Sequence, residues 1–210
     1  MTEKWAREAL KLRRLKLSLL DDMNDPFELL AVSLVDRQDR VDFPRLRKEL
    51  SQEIGVLCFS RSWNNPVLWS HYGDRHHGLC LGFDVPDHAL TEVNYQLERF
   101  TANDGDRSNE TLVKELSDKL LTTKFEHWRY EEEIRVVLRL AGMTPESGLF
   151  FVPFSSGLCL REVITGPRSG LSLADIRSLL TAEDRNVTLT KGRLAFGSFK
   201  VVKNNAAKDA

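Results

Sequence analysis

Residues 130–140 read YEEEIRVVLRL, and the reading of this stretch decides the fold. Side chains alternate faces along a strand. Tyr130, Glu132, Ile134, Val136, Leu138 and Leu140 fall on one side, apolar at its far end and fit to meet a core. Glu131, Glu133, Arg135, Val137 and Arg139 fall on the other. Glu131, Glu133 and Arg135 thus form a row, with same-side neighbours about 6–7 Å apart. An arginine in that row holds a carboxylate ionised, and a second carboxylate pushes the first one's pKa up. Such pairs serve as acid, base or stabiliser of an oxocarbenium-like charge. The competing reading is a surface ladder of ion pairs.

Working outward, the other elements are mixed in kind. The spacing of Trp5, Ala6, Ala9, Leu10 and Leu12 predicts a helix, and Leu15, Leu17 and Leu19 predict a short strand after it. NDPFE (24–28) has turn chemistry, with Asn24 and Asp25 in an Asx-type turn and Phe27 tucked in. DFPRLRKELSQEIG (42–55) predicts a helix capped by Asp42, with Pro44 in its first turn and Gly55 ending it. VLCFS (56–60) and GLCLGFDV (78–85) read as strands, the glycines of the second marking a close approach of backbone or ligand. NETLVKELSDKLLTTKFEHW (109–128) reads as one long helix with Leu112, Leu116, Leu120 and Leu121 on a face. SGLFFVPFSS and LREVITG predict two more strands. Ser172 to Asp175 opens a helix with a capping box, and residues 186–203 read as one or two final strands with turns at Gly192 or Gly197. No β-α-β alternation runs through this order. The expected class is α+β, a mixed or mostly antiparallel sheet with flanking helices, as a single domain over residues 1–203 with a frayed tail at 204–210.

Composition narrows the functional classes. Among 210 residues, 30 Lys and Arg balance 31 Asp and Glu, which gives no general electrostatic grip on nucleic acid or an anionic membrane and leaves only a local basic patch for such contacts. Cys58, Cys80 and Cys159 are the only cysteines, too far apart for a disulfide framework or metal knuckle. Cys58 and Cys80 lie in apolar runs, where a thiol behaves as a small buried hydrophobe. With no signal-peptide pattern and no apolar run of membrane-spanning length, the expected location is cytoplasmic.

The second conspicuous stretch is LWSHYGDRHHGLCLGF (68–83), which holds three of the five histidines. The spacing of His71, His76, His77 and Cys80 matches no usual zinc pattern, so no metal is expected. Trp69, His71 and Tyr72 cluster planar side chains with polar tips, suited to a flat ligand or nucleobase. The plainer reading is a packed aromatic corner with one hydrogen-bonded histidine. Ser60 ends its strand without the glycine-flanked elbow of a serine hydrolase. A metal-dependent nuclease would need Asp25, Glu28, Glu131 and Glu133 to converge.

NDPFE, CFS, LWSHYGDRHHGLCLGFD, a lysine with WRYEEEIR, and LREVITG occur in order between Leu15 and Gly166. Together they resemble a widespread prokaryotic family carrying a domain of unknown function. Trp69, His71, Tyr72, His76, Gly78, Gly82 and Phe83 match one of its motifs; Trp128, Tyr130, Glu131, Glu133 and Arg135 match another. Family members open with an additional strand bearing Tyr-Lys/Arg-Tyr. This chain opens at MTEKWAREAL, and that strand is expected to be missing. The motif order is also similar, distantly, to the ADP-ribosyltransferase fold. What that resemblance implies is NAD as substrate, with Glu133 or Glu131 as the catalytic carboxylate and Arg135 setting its ionisation. It also implies a ligand pocket of Ser60, Trp69, His71, Tyr72, His76 and Tyr130. The alternative is a non-catalytic regulatory module that binds a nucleotide or a peptide, in a stress or phage-defence setting.

Overall fold

The structure, a computed structural model, describes residues 1–35, 37–101 and 117–206. In chain order its elements are α1 (Glu3–Leu12), β1 (Arg14–Lys16), β2 (Ser18–Leu19), α2 (Arg37–Glu53), β3 (Ile54–Ser60), α3 (Pro66–His71), β4 (Leu79–Asp84), β5 (Thr91–Glu92) and β6 (Asn94–Gln96). There follow α4 (117–122), β7 (Thr123–Phe125), a 3-10 turn (Glu126–Glu131), β8 (Glu133–Arg139), β9 (Phe151–Pro153), β10 (Cys159–Thr165), α5 (Leu173–Arg177), β11 (Thr188–Leu194) and β12 (Val201–Lys203). The class is α+β with mostly antiparallel pairing, as the sequence predicts. The chain forms two compact units, one of Met1–Lys16, Ser62–His88 and Phe151–Ala210, the other of Leu17–Arg61 and Ala89–Phe150.

In the first unit the sheet order is β12-β11-β10-β4, with β10 and β11 parallel and the other pairs antiparallel. The capping box at the start of α5 forms as predicted, between Ser172 and Asp175. Trp69, Ile164 and Val201 are buried together, with Cys80 packed against them.

In the second unit the order is β2-β3-β8-β5, all antiparallel. Its core gathers Leu20, Leu29, Val32, Phe43, Leu50, Val56, Leu120 and Leu121. Four sequence expectations are corrected across the two units. The single strand expected through Leu15–Leu19 is two, β1 pairing with β9 in the first unit and β2 with β3 in the second. Helix α2 begins at Arg37, so Pro44 is interior; Arg40 donates to the carbonyls of Leu34 and Val35 ahead of it, which anchors the extra turn. Gly55 is a strand residue rather than a helix stop: Leu17 and Leu140 would each lie 3.0 Å from a Cβ there.

The fourth correction sets up the site. The long helix expected over residues 109–128 is helical only at 117–122 within the described residues. Thr122 returns its hydroxyl to the carbonyls of Asp118 and Lys119, and the β-branched pair Thr122–Thr123 then favours extended backbone. The expected helix face at Leu112 and Leu116, the capping side chain of Asp42 and the tail at 207–210 lie outside the described residues.

Candidate functional site

The site is built on the central ladder of the second unit. Strand β8 lies between β3 and β5, with Ser60 opposite Glu133, Cys58 opposite Arg135, and Thr91 opposite Arg135 on the other side. The strand starts at Glu133, not at Tyr130 as the alternation suggested. Residues 126–131 turn as a 3-10 helix, and Glu132 takes a left-handed conformation (φ 44°) that redirects the chain. The backbone N–H of Glu133 donates to the Tyr95 hydroxyl at 2.8 Å.

The row Glu131, Glu133, Arg135 is not a surface ladder. Arg135 is 1% exposed and Glu133 6%. Arg135 Nε donates to Glu133 Oε1 at 2.7 Å and Nη2 to Oε2 at 3.2 Å, while Nη1 donates to the Leu121 carbonyl at 2.8 Å. Lys124 Nζ donates to Glu131 Oε2 at 2.6 Å and Glu133 Oε2 at 2.8 Å. Glu28, also buried, brings Oε1 to 2.6 Å from Arg135 Nη2. Three carboxyl groups and two cations thus share a buried cluster.

The NDPFE turn delivers Glu28. Asp25 Oδ1 accepts from Phe27 N at 2.9 Å and the Asp25 carbonyl accepts from Glu28 N at 3.0 Å, so the Asx-type turn is present with Asp25 as its acceptor. Phe27 is not tucked in: it is 55% exposed, and Leu29, left-handed at φ 64°, fills the core instead.

Burial raises the pKa of a carboxyl and nearby cations lower it. At Glu133 burial pushes upward, but Arg135 and Lys124 outweigh it and hold the carboxyl at about 2. At Glu28 burial prevails over Arg135 and Lys124, and the charge of Glu133 adds to it, so its pKa is raised. Lys124 and Arg135 are both raised: burial works against their charged forms, but their carboxylate partners prevail. The two carboxyls on Arg135 are therefore driven apart, Glu133 downward and Glu28 upward.

Around the cluster stand Tyr95, Trp128 and Tyr130, half-buried. Trp128 and Tyr130 lie with ring centroids 5.9 Å apart, and Lys124 Nζ is 5.0 Å from the Trp128 ring centre. Ser60 is exposed. Cys58 is exposed as well, which corrects its reading as a buried hydrophobe: it lies two residues before exposed Ser60, at the end of β3. Its thiol is nevertheless raised, first by the protein around it and then by Glu133. Sequence reasoning gave Lys124 no role, and the local pattern carries no signal for it: Thr123 and Lys124, neighbours in β7, are both buried. Glu28, Glu131 and Glu133 do gather, but around Lys124 and Arg135. Among the described residues no group of three or more His, Cys, Asp or Glu has the arrangement of a metal site.

The histidine stretch belongs to the first unit. Asn65 caps α3, Pro66 opens it, and Trp69 is buried at 3% exposure, its Nε1 donating to the Trp63 carbonyl at 2.6 Å. Trp69 is thus a core residue. Gly73 must be glycine, because a Cβ there would meet Trp69 Cε3 at 2.7 Å. Asp74, Arg75 and His76 are consecutively left-handed (φ 48°, 50° and 75°). That turn sets His76 Nε2 3.1 Å from Ser70 Oγ, and burial, with Arg168 and His77 nearby, lowers the His76 pKa. His71 and Tyr72 are exposed, rings edge-on at 6.2 Å. The close approach expected at the glycines is backbone on backbone: a Cβ on Gly78 would lie 2.1 Å from the Met1 carbonyl oxygen. Cys80 packs in the core with its thiol pushed up to about 11 by burial. Of the predicted site residues, the second unit therefore carries Ser60, Tyr130, Glu131, Glu133 and Arg135, and the first carries Trp69, His71, Tyr72 and His76.

A family described as a protein of unknown function (DUF2971) matches residues 68–136, from the histidine stretch through the start of β8. The resemblance to a family of unknown function is thereby supported. No curated protein and no solved structure matches the chain. Among the described residues no helix is long and apolar enough to cross a membrane.

Proposed function

We propose that the protein is an ADP-ribosyltransferase-like enzyme that uses NAD, with the reacting centre at the start of β8. The observation that carries this reading is the pairing of Ser60 with Glu133 at the end of the β3–β8 ladder, with Glu133 held ionised. A carboxylate fixed as an anion in a low-dielectric site favours positive charge developing on a ribosyl carbon. In the reaction the bond from that carbon to the nicotinamide nitrogen breaks, and its electron pair neutralises the pyridinium. The acceptor, water or a hydroxyl, forms the new bond and gives up its proton. Tyr95, Trp128 and Tyr130 offer faces for flat rings, and the exposed Ser60 hydroxyl offers a hydrogen bond to the sugar. Arg135 and Lys124 are positioning residues that set the charge and orientation of Glu133.

A second reading, a non-catalytic nucleotide-binding module, is favoured by one observation: both oxygens of Glu133 are already engaged by Arg135 and Lys124. Incubation with NAD separates the two. The enzyme releases nicotinamide, measured by chromatography, and Glu133→Gln stops the release while circular dichroism shows an intact fold. Thermal stabilisation by NAD without nicotinamide release establishes the binding module. Absence of both effects means that NAD is not the ligand.

A further inference from the structure

The tip of the hairpin joining β11 to β12 leaves Phe196 at 95% exposure and Phe199 at 97%, with Leu194 exposed beside them. The tip is closed by its own backbone: Ala195 N donates to the Lys200 carbonyl and Lys200 N to the Ser198 carbonyl, both at 2.9 Å. The adjoining edge strand offers little for strand addition, because the N–H of Val201 donates to the Asn64 carbonyl at 2.8 Å and its C=O accepts from Asn64 Nδ2 at 2.9 Å. Contact is therefore left to the side chains of the tip. Single exposed apolar residues are ordinary, whereas a contiguous apolar protrusion with a polar rim marks an interaction site.

The rim is cationic. From Thr188 to Ala206 there is no Asp or Glu, in a chain whose net charge is -1. Lys191 is committed to the carbonyls of Ser169 and Leu171. Arg193, whose Nη1 donates to the Leu194 carbonyl at 3.0 Å, lies on β11, Lys200 on the tip and Lys203 on β12. The Arg193 guanidinium lies 4.6 Å from the Phe196 ring centre. A cation above an aromatic ring matches the layering of a bilayer interface, phosphate over hydrocarbon.

We propose that this hairpin tip docks on an anionic lipid surface, with Phe196, Phe199 and Leu194 entering the headgroup boundary and Arg193, Lys200 and Lys203 meeting lipid phosphates. Such binding combines buried apolar area with attraction to anionic lipid. It is independent of the NAD reading, which concerns the other unit.

The test is co-sedimentation of the full chain with vesicles of phosphatidylcholine alone or with phosphatidylserine added. Binding to the anionic vesicles is expected to exceed binding to neutral ones by about tenfold or more, and to weaken with salt. The double substitution Phe196→Ser with Phe199→Ser is expected to lower anionic-vesicle binding by about tenfold or more, with an unchanged melting curve because both rings are exposed. Arg193→Gln with Lys200→Gln is expected to erase the preference for anionic vesicles. A wild-type protein that sediments with neither vesicle overturns the proposal, as does a phenylalanine double variant that sediments like wild type. So does a single-stranded oligonucleotide that binds through the same two phenylalanines and displaces the vesicles.

Discussion

The acidic start of β8 and the histidine turn after α3 are the two most conspicuous stretches of this sequence, and the structure treats them in opposite ways. At β8 the charges go inside: Arg135, Lys124, Glu28, Glu131 and Glu133 are all buried and neutralise one another. After α3 the polar rings of His71 and Tyr72 stay out, and the apolar member, Trp69, goes in. The difference teaches that conspicuous residues are not of one kind. A buried ion cluster makes every member depend on the others, because desolvated charge is costly unless paired. An exposed ring makes no such demand.

The largest expected effect therefore comes from removing a cation of the cluster. Arg135→Met leaves two buried carboxyls without their shared partner and is expected to cost about 3–5 kcal/mol, read from urea unfolding. A loss within about 0.5 kcal/mol would mean that the cluster opens to water and that the two regions do not differ in this way. Trp69→Ala should rival it for a different reason, a core cavity, at about 3–5 kcal/mol by the same measurement; a silent substitution would return Trp69 to the ligand surface.

The pH dependence sharpens the comparison next. Glu133 is depressed from its usual 4.5 to about 2, so its contribution is complete above 4.5 and is lost as pH falls toward 2. Glu28 is raised above 4.5, so the sign reverses: its contribution is complete below 4.5 and declines as pH rises through its folded-state pKa. Glu28→Gln preserves the neutral form and should abolish the decline on the alkaline side, leaving the acid-side loss in place, as followed by melting temperature across pH. A curve unchanged by the substitution would show that Glu28 titrates normally. The smallest effect belongs to His71→Ala, expected to change stability by no more than about 0.5 kcal/mol; a ligand-binding or activity defect with that unchanged fold would give the first unit a part in the site.

Much of this was legible from residue order. The β8 strand, the Ser172 capping box and the turn at NDPFE rest on local rules, and each formed within a few residues of its expected place. The boundaries that moved did so where side chains act on the backbone: Thr122 ending a helix through its hydroxyl, Arg40 starting another, Leu17 and Leu140 packing onto Gly55. In the site, Glu131, Glu133 and Arg135 were found by their spacing. Lys124 was not, since a lysine looks solvent-bound until two carboxylates surround it, and Glu28 was only a neighbour of uncertain reach until the turn aimed it at Arg135.

By itself the sequence determined the α+β class, the placing of Glu133 and Arg135 on one face of β8 and the turn that carries Glu28, because alternation, turn chemistry and capping depend on residues close along the chain. Only the tertiary structure decided that the acidic row is buried, that Lys124 completes it, and that Trp69 is core while His71 and Tyr72 are surface. Burial and ion pairing are set by residues distant in sequence, and a charge reveals its environment only when the fold has removed the water around it.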